Sequence, residues 1–301
     1  MTGVLRSALK VLPVALFLAG PVAAQDVSLR PLRPIYVDSL GAAIRAPEGV
    51  AYDGSSRLVV ADTGNRRLLL FDISEDSFSP AAEIRLSQVP LPVRVRSEPS
   101  GDILALDGKS NRIARIGSDG TFKGFVEIEP ASGRRSVVVK GFDLDDDGSL
   151  YALDTAGGRI VVLDGEGNLL RQIAFPSEVG FLSDITVNAA GAAFAIDSVG
   201  RRVFVARKGD EALAPLTESM HEDMAFPTAI TDDGSGYLYV SDRDGSGIVV
   251  LGDNGSFQGR HSGKGRQQGF VWHPSGLDAG GGYLFVADRG NNRIQVFEIA
   301  R

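Results

Sequence analysis

An all-β chain built as a ring of six four-stranded sheets is what this sequence predicts, on three observations. The first is an internal repeat. Six segments share two or three apolar or small residues, an Asp, a short Gly-rich or Ser-rich turn, and then usually an Arg that leads an apolar run; their aspartates are Asp62, Asp107, Asp154, Asp197, Asp242 and Asp288, at steps of 43 to 47 residues. The second is local. Short runs of Val, Ile, Leu and aromatics are bounded by turn formers such as Asp53-Gly54, Asp119-Gly120, Asp147-Gly148 and Asn254-Gly255, the pattern of strands joined by tight turns. Third, beyond residue 24 no ten-residue stretch carries helical periodicity. A period of this length with four strands per unit is that of a propeller blade, and six units fill residues 25–301 as one domain.

The elements follow in order. Arg6 and Lys10 precede an apolar run, Val11 to Ala19, too short to span a bilayer and followed by Val22-Ala23-Ala24. Basic, apolar and small-residue segments in that order are those of a secretory signal peptide over residues 1–24, cleaved before Gln25, which implies a periplasmic or secreted protein. In the first unit the inner strand is expected at Gly49 to Tyr52, the second at Leu58 to Ala61, the third at Arg67 to Phe71 and the outer at Ala82 to Leu86. The sixth unit ends at Ile299 with three strands spent. Its outer strand is expected from the N-terminal segment, Ile35 to Val37 beside Gln295 to Ile299, closing the ring and covering an edge that could otherwise template association.

Composition narrows the function. With 43% hydrophobic and 23% charged residues the chain is ordinary for a globular protein, and it has no cysteine, which excludes disulfides, thiol nucleophiles and thiolate metal sites. The net charge of −7 becomes about −9 without Arg6 and Lys10, and argues against nucleic acid. The expected partner is an envelope or extracellular protein or peptide, and the chain is not expected to be membrane-embedded.

The repeats resemble NHL repeats, the blades of six-bladed β-propellers. The resemblance rests on the Asp, the Gly and Asn of the turn and the Arg five residues after the Asp, fullest in "ADTGNRRL" (Asp62, Gly64, Asn65, Arg67) and "ADRGNNRI" (Asp288, Gly290, Asn291, Arg293). Pro47-Glu48-Gly49-Val50 and Pro274-Ser275-Gly276-Leu277 match the family's lead into the inner strand, and Gly263 to Leu277 resembles its connector between blades. The match implies a fold and no particular activity.

The repeated Asp and Arg invite a catalytic reading, but a site occurs once and this pair recurs: Arg67, Arg112, Arg159, Arg202 and Arg293 keep the Arg position, and only the fifth unit departs, with Gly247. A short Asp accepts from backbone N–H groups and a forked guanidinium reaches it, so both are expected to be structural, with the fifth turn less braced. Function is sought where the pseudo-symmetry breaks. Aligned on the Asp, one column reads Glu48, Val93, Lys140, Ser183, Thr228, Ser275 and the next Gly49, Arg94, Gly141, Asp184, Ala229, Gly276, with a one-residue gap in the last unit. Both columns begin the inner strands and should ring one channel mouth, where Glu48, Arg94, Lys140, Asp184 and the adjacent His273 form the candidate ligand site. Long connectors open on the same face: Glu129 to Val137 with Arg134-Arg135, Thr217 to Pro227 with Met220, His221 and Met224, and Gly259 to His273 with Trp272.

No cofactor is expected. "DLDDDG", Asp143 to Gly148, spaces carboxylates like a calcium loop, but it lies between strands and reads as a β-turn. The resemblance also reaches propeller enzymes: amidating lyases that hold zinc with channel histidines, and lactonases that hold a metal with Glu, Asn and Asp. This chain has three histidines, His221, His261 and His273, and no G-x-S-x-G elbow. The expected function is a non-catalytic binding or scaffolding module for a protein, peptide or small polar ligand. A metal-dependent lyase or lactonase using Glu48, Asp184 and His273 is the alternative.

Overall fold

Each repeat folds into an antiparallel sheet because its successive strands are joined by short turns. The computed structural model describes residues 27–74 and 77–301, and residues 1–24, expected to be a signal peptide, lie outside the described residues. These residues form six four-stranded sheets. The inner strands are Gly49–Tyr52, Pro92–Ser97, Val139–Leu144, Leu182–Val187, Pro227–Asp232 and Gly276–Gly280. They head blades one to six. Successive inner strands lie beside one another around a central axis, and those of blades six and one are also neighbours.

The apolar core is correspondingly divided. One cluster fills each gap between neighbouring blades; Val50, Val60 and Phe71, for instance, meet Phe285, Ile294 and Val296 between blades one and six. A sheet with neighbours on both faces must be apolar on both. That is why the second strands, such as Arg57–Asp62 and Tyr283–Asp288, are buried almost throughout rather than on alternate residues.

The ring closes through the N-terminal segment, with a shift in which residues do it. The fourth strand of blade six is Ser28–Pro31, pairing Ser28 with Ala300, Leu29 with Ile299, Arg30 with Glu298 and Pro31 with Phe297. Ile35 stays on the same blade through a single bridge, its N–H and C=O each bonded to Ile294 at 2.9 Å. Pro34 lacks an N–H, so the ladder cannot run on through it. Beyond Ile35 the chain crosses to blade one, where Ile44 donates to the Tyr36 carbonyl at 2.8 Å. In blade one the outer strand is Ser77–Ile84 rather than Ala82 to Leu86, because the third strand runs on to Ser74 and draws its partner back along the chain.

Candidate functional site

The repeated aspartates are scaffold. All six are buried, and each accepts a backbone N–H from the connector that enters its own blade: Arg45 to Asp62 at 2.7 Å, Leu91 to Asp107 at 2.8 Å, Val138 to Asp154 at 3.1 Å, Phe181 to Asp197 at 2.8 Å, Phe226 to Asp242 at 2.8 Å and Trp272 to Asp288 at 2.7 Å. Arg67 and Arg293 reach their aspartates at 2.6 and 2.7 Å, Arg159 at 3.2 Å, and Arg202 more loosely at 3.9 Å. Two blades differ from the sequence reading. Arg112 turns outward to Glu127 and stacks on Phe125, and Ser110 serves Asp107 instead. Blade five, with Gly247 at the Arg position, is not left unbraced: Arg260 from its outer strand donates to Asp242 at 2.9 Å, to the Gly245 carbonyl at 2.8 Å and to the Asp223 carbonyl at 2.7 Å. A Cβ at Gly247 would meet that guanidinium at 2.6 Å. The missing side chain makes room for its substitute.

The inner strands set the mouth. In blades two to five each starts with a register shift that leaves Val93, Lys140 and Gly141, Ser183 or Thr228 outside the ladder. Such a bulge turns a side chain away from its regular face. One register position on, Gly49, Arg94, Asp184, Ala229 and Gly276 all pair with the residue before the repeat Asp, which confirms the one-residue gap in blade six. Here the inner strands crowd: a Cβ on Gly49 would lie 2.9 Å from the Val93 carbonyl oxygen, and one on Gly276 2.4 Å from that of Glu48. The small residues leave the axis to Arg94 and Asp184. Arg94 donates to the carbonyls of Glu48, Val93 and Thr228 at 3.1 Å each and to Asp184 at 3.4 Å, tying blades one, two, four and five across the channel. Burial pushes the Asp184 carboxyl above the usual range, against the pull of Arg94 and Arg96.

Above this plug lies a cavity of about 490 Å³ lined by Glu48, Arg94, Phe181, Ser183, Ser198, Phe226, Thr228, Arg243, Asp244, His273, Ser275 and Arg289. Of the five residues singled out from the sequence, Glu48, Arg94 and His273 meet here. Asp184 lies beneath as the partner of Arg94, and Lys140 points to Asn111 at 3.3 Å, outside the cavity. Arg243, Asp244 and Arg289 were missed, although the sequence signalled two of them. The residue after the repeat Asp is Thr63, Gly108, Thr155 and Ser198 in blades one to four, then Arg243 and Arg289. In the earlier blades the hydroxyls close backbone contacts, as Thr63 does to the Pro92 carbonyl at 2.7 Å and Ser198 to that of Pro227 at 2.6 Å; in blades five and six guanidinium groups take their place at the cavity wall. Of the connectors, Met224 is buried and Met220 packs between blades four and five, so the methionines are core. Arg134, Arg135 and His221 are exposed, and Trp272 lies beside His273 with ring centroids 5.7 Å apart.

Below the plug the inner strands turn a second ring inward, two residues on: Ala51, Arg96, Asp143, Thr186, Thr231 and Asp278. A strand period of two makes this ring readable once the first is fixed. Arg96 donates to Asp143 at 2.6 Å, Thr186 to the same carboxylate at 2.9 Å, and Thr231 to Asp278 at 3.2 Å. These residues face a second cavity of about 510 Å³ at the far mouth, where Asp232 also lies. Burial pushes Asp278 up to about 6, opposed by Arg96 and the Tyr52 N–H, and burial likewise pushes Asp232 up to about 6. The "DLDDDG" segment divides here. Asp143 belongs to the ring, Asp145 accepts the Asp147 and Ser149 N–H groups of a turn, and Asp154 pairs with Val139 at the other end of the hairpin.

Glu48, Asp184 and His273 are not brought together as one cluster. Glu48 is paired with Arg289 at 3.2 Å, and a guanidinium already sits against Asp184. Among the described residues no three His, Asp or Glu side chains are grouped to hold a metal ion. His261 ends the outer strand of blade five, where burial holds its pKa down, and neither it nor His221 lines the cavity that His273 lines.

Fold and site together define a six-bladed β-propeller whose channel is plugged by an arginine, with a cup at each mouth. The chain carries an NHL repeat: that family matches residues 271–297, which span the end of the last connector and three strands of blade six. No match is found among curated proteins. Solved structures similar to this chain include virginiamycin B lyase from Staphylococcus aureus, 15% identical over 91% of this chain and 100% of that one with a TM-score of 0.63. Another is a gluconolactonase from Xanthomonas campestris, 14% identical over 91% and 98% with a TM-score of 0.64. The luciferin-regenerating enzyme is 14% identical over 89% and 96% with a TM-score of 0.62. At these identities the likeness is one of fold.

Proposed function

We propose that this propeller is an exported, non-catalytic binding module whose ligand, a protein segment, peptide or small polar molecule, enters the cup above Arg94. One observation carries this reading. The pseudo-symmetry breaks where Glu48, Arg243, Asp244, His273 and Arg289 converge on a single cavity, on a rigid ring that fixes their positions. The similar solved structures include a lyase and a gluconolactonase, so the competing reading is metal-dependent catalysis in the channel. Of the donor groups that reading needs, Asp184 is buried against Arg94, and among the described residues no three His, Asp or Glu side chains are grouped. The test is retention of envelope-extract components on the immobilised protein. Arg243→Gln combined with Arg289→Gln should abolish retention at unchanged melting temperature, while Arg134→Gln with Arg135→Gln on the blade-three connector should not. The reverse pattern would move the site to the connectors, and a stoichiometric divalent ion retained after dialysis would favour the enzyme.

A further inference from the structure

Within the cup the cations are not equivalent. Arg94 has its donors committed to three carbonyls and Asp184. Arg243 and Arg289 hold the same repeat position in adjacent blades, and among the described residues each has a single ion-pair partner, the exposed Asp244 and the half-buried Glu48, each at 3.2 Å. Single-contact pairs open to solvent are weak, so a ligand carboxylate can displace them at little cost and gain forked guanidinium contacts. The opposite character stands beside them: Phe226 lies under the Arg243 guanidinium at 4.9 Å, and Phe181 is 40% exposed at the same rim. The Ser198 and Ser275 hydroxyls are turned to the carbonyls of Pro227 and Pro47. What the cup offers is therefore two available cations, two aromatic faces and the Glu48 carboxylate. Glu48 and Asp244 repel a dianion, which selects against phosphate.

Resting on the binding reading above, we infer that the cup takes the C-terminal residue of a peptide. Its carboxylate lies between Arg243 and Arg289, its apolar side chain lies against Phe181 and Phe226, and Glu48, released from Arg289, accepts an N–H from the peptide. The volume of about 490 Å³ falls in the ordinary range for small-ligand pockets.

Trp272, the single tryptophan of the chain, has its ring 5.7 Å from that of His273, which lines the cup; its fluorescence is the readout, with calorimetry beside it. The probe is an N-acetylated tripeptide ending in phenylalanine with a free carboxylate, compared with the same peptide amidated and with phenyl phosphate. Saturable binding of the free acid is expected, weakened at least tenfold by amidation and by Arg243→Gln or Arg289→Gln, with phenyl phosphate the poorer ligand and Arg134→Gln without effect. Equal binding of acid and amide, stronger binding of phenyl phosphate, or no binding of the acid at millimolar concentration overturns the inference. If the cup variants still abolish retention of extract components, the binding reading survives that failure. If they do not, both fall.

Discussion

Arg293 is 1% exposed and serves Asp288, the Tyr36 hydroxyl and the carbonyls of Arg266, Gln267 and Phe270. One guanidinium thus pins the last connector, the repeat Asp and the closing segment together. Arg112 occupies the same repeat position and does none of this, because Ser110 already satisfies Asp107. Arg293→Met should therefore cost about 3–5 kcal/mol by leaving a buried carboxylate uncompensated. Arg112→Met should cost under about 1 kcal/mol, as for a surface pair. Urea unfolding at pH 7 separates the two, and equal losses would show that the repeat position, rather than the contacts made, decides stability. The position was legible in the sequence because each unit repeats it. The partner was not, since an Arg side chain can swing to either face of its strand end and only its neighbours select which.

At the scale of elements, two features depend on pairs far apart in the chain. In blade five the guanidinium crosses from the outer strand to stand over Gly247, a substitution between strands that no column alignment within one strand could expose. At the seam, Arg30 lies directly opposite Glu298, both at the surface and ion-paired. Directly opposed antiparallel residues have Cα separations of about 4.5–5.5 Å, within the range a disulfide spans. In a chain without cysteine, Arg30→Cys with Glu298→Cys should oxidise to a single bond that closes nearly the whole chain. On the chain-entropy model its stabilisation is about 5–6 kcal/mol. Melting with and without reductant measures it, and an unchanged melting point on oxidation would mean that the closing strand contributes no cooperative pairing. Proximity of the two chain ends was expected from the unspent strand of blade six. The exact partners were missed because Pro34 looks like part of an extended run in sequence, yet takes the N–H out of the ladder at that point.

For the whole molecule the deciding feature is the axis, where all six blades present inward side chains to one narrow space. The lower ring places Asp143 and Asp278 around Arg96, with Asp184 above and Asp232 at the far mouth. A carboxyl held up at about 6 in the folded state binds its proton more tightly there than in the unfolded chain. Its contribution is favourable at low pH and is lost as the pH rises through about 6. Asp278→Asn removes that dependence. The variant should gain on the parent between pH 4 and pH 7 when urea midpoints are compared, and curves that stay parallel over that window would sink the assignment.

The sequence by itself determined the number of blades, the place of every inner strand, the structural duty of the repeated aspartates and the origin of the closing segment. Each of these is written in periodicity, and a repeat of 43 to 47 residues with apolar strands has one radial packing that buries them. Only the tertiary structure decided that Arg94 reaches across the axis to seal the channel, that Lys140 turns away from the cup, and that Arg243 and Arg289 line its wall. Those outcomes depend on distances between blades separated by up to half the ring, where space left by one residue's missing side chain is filled by another residue's long one.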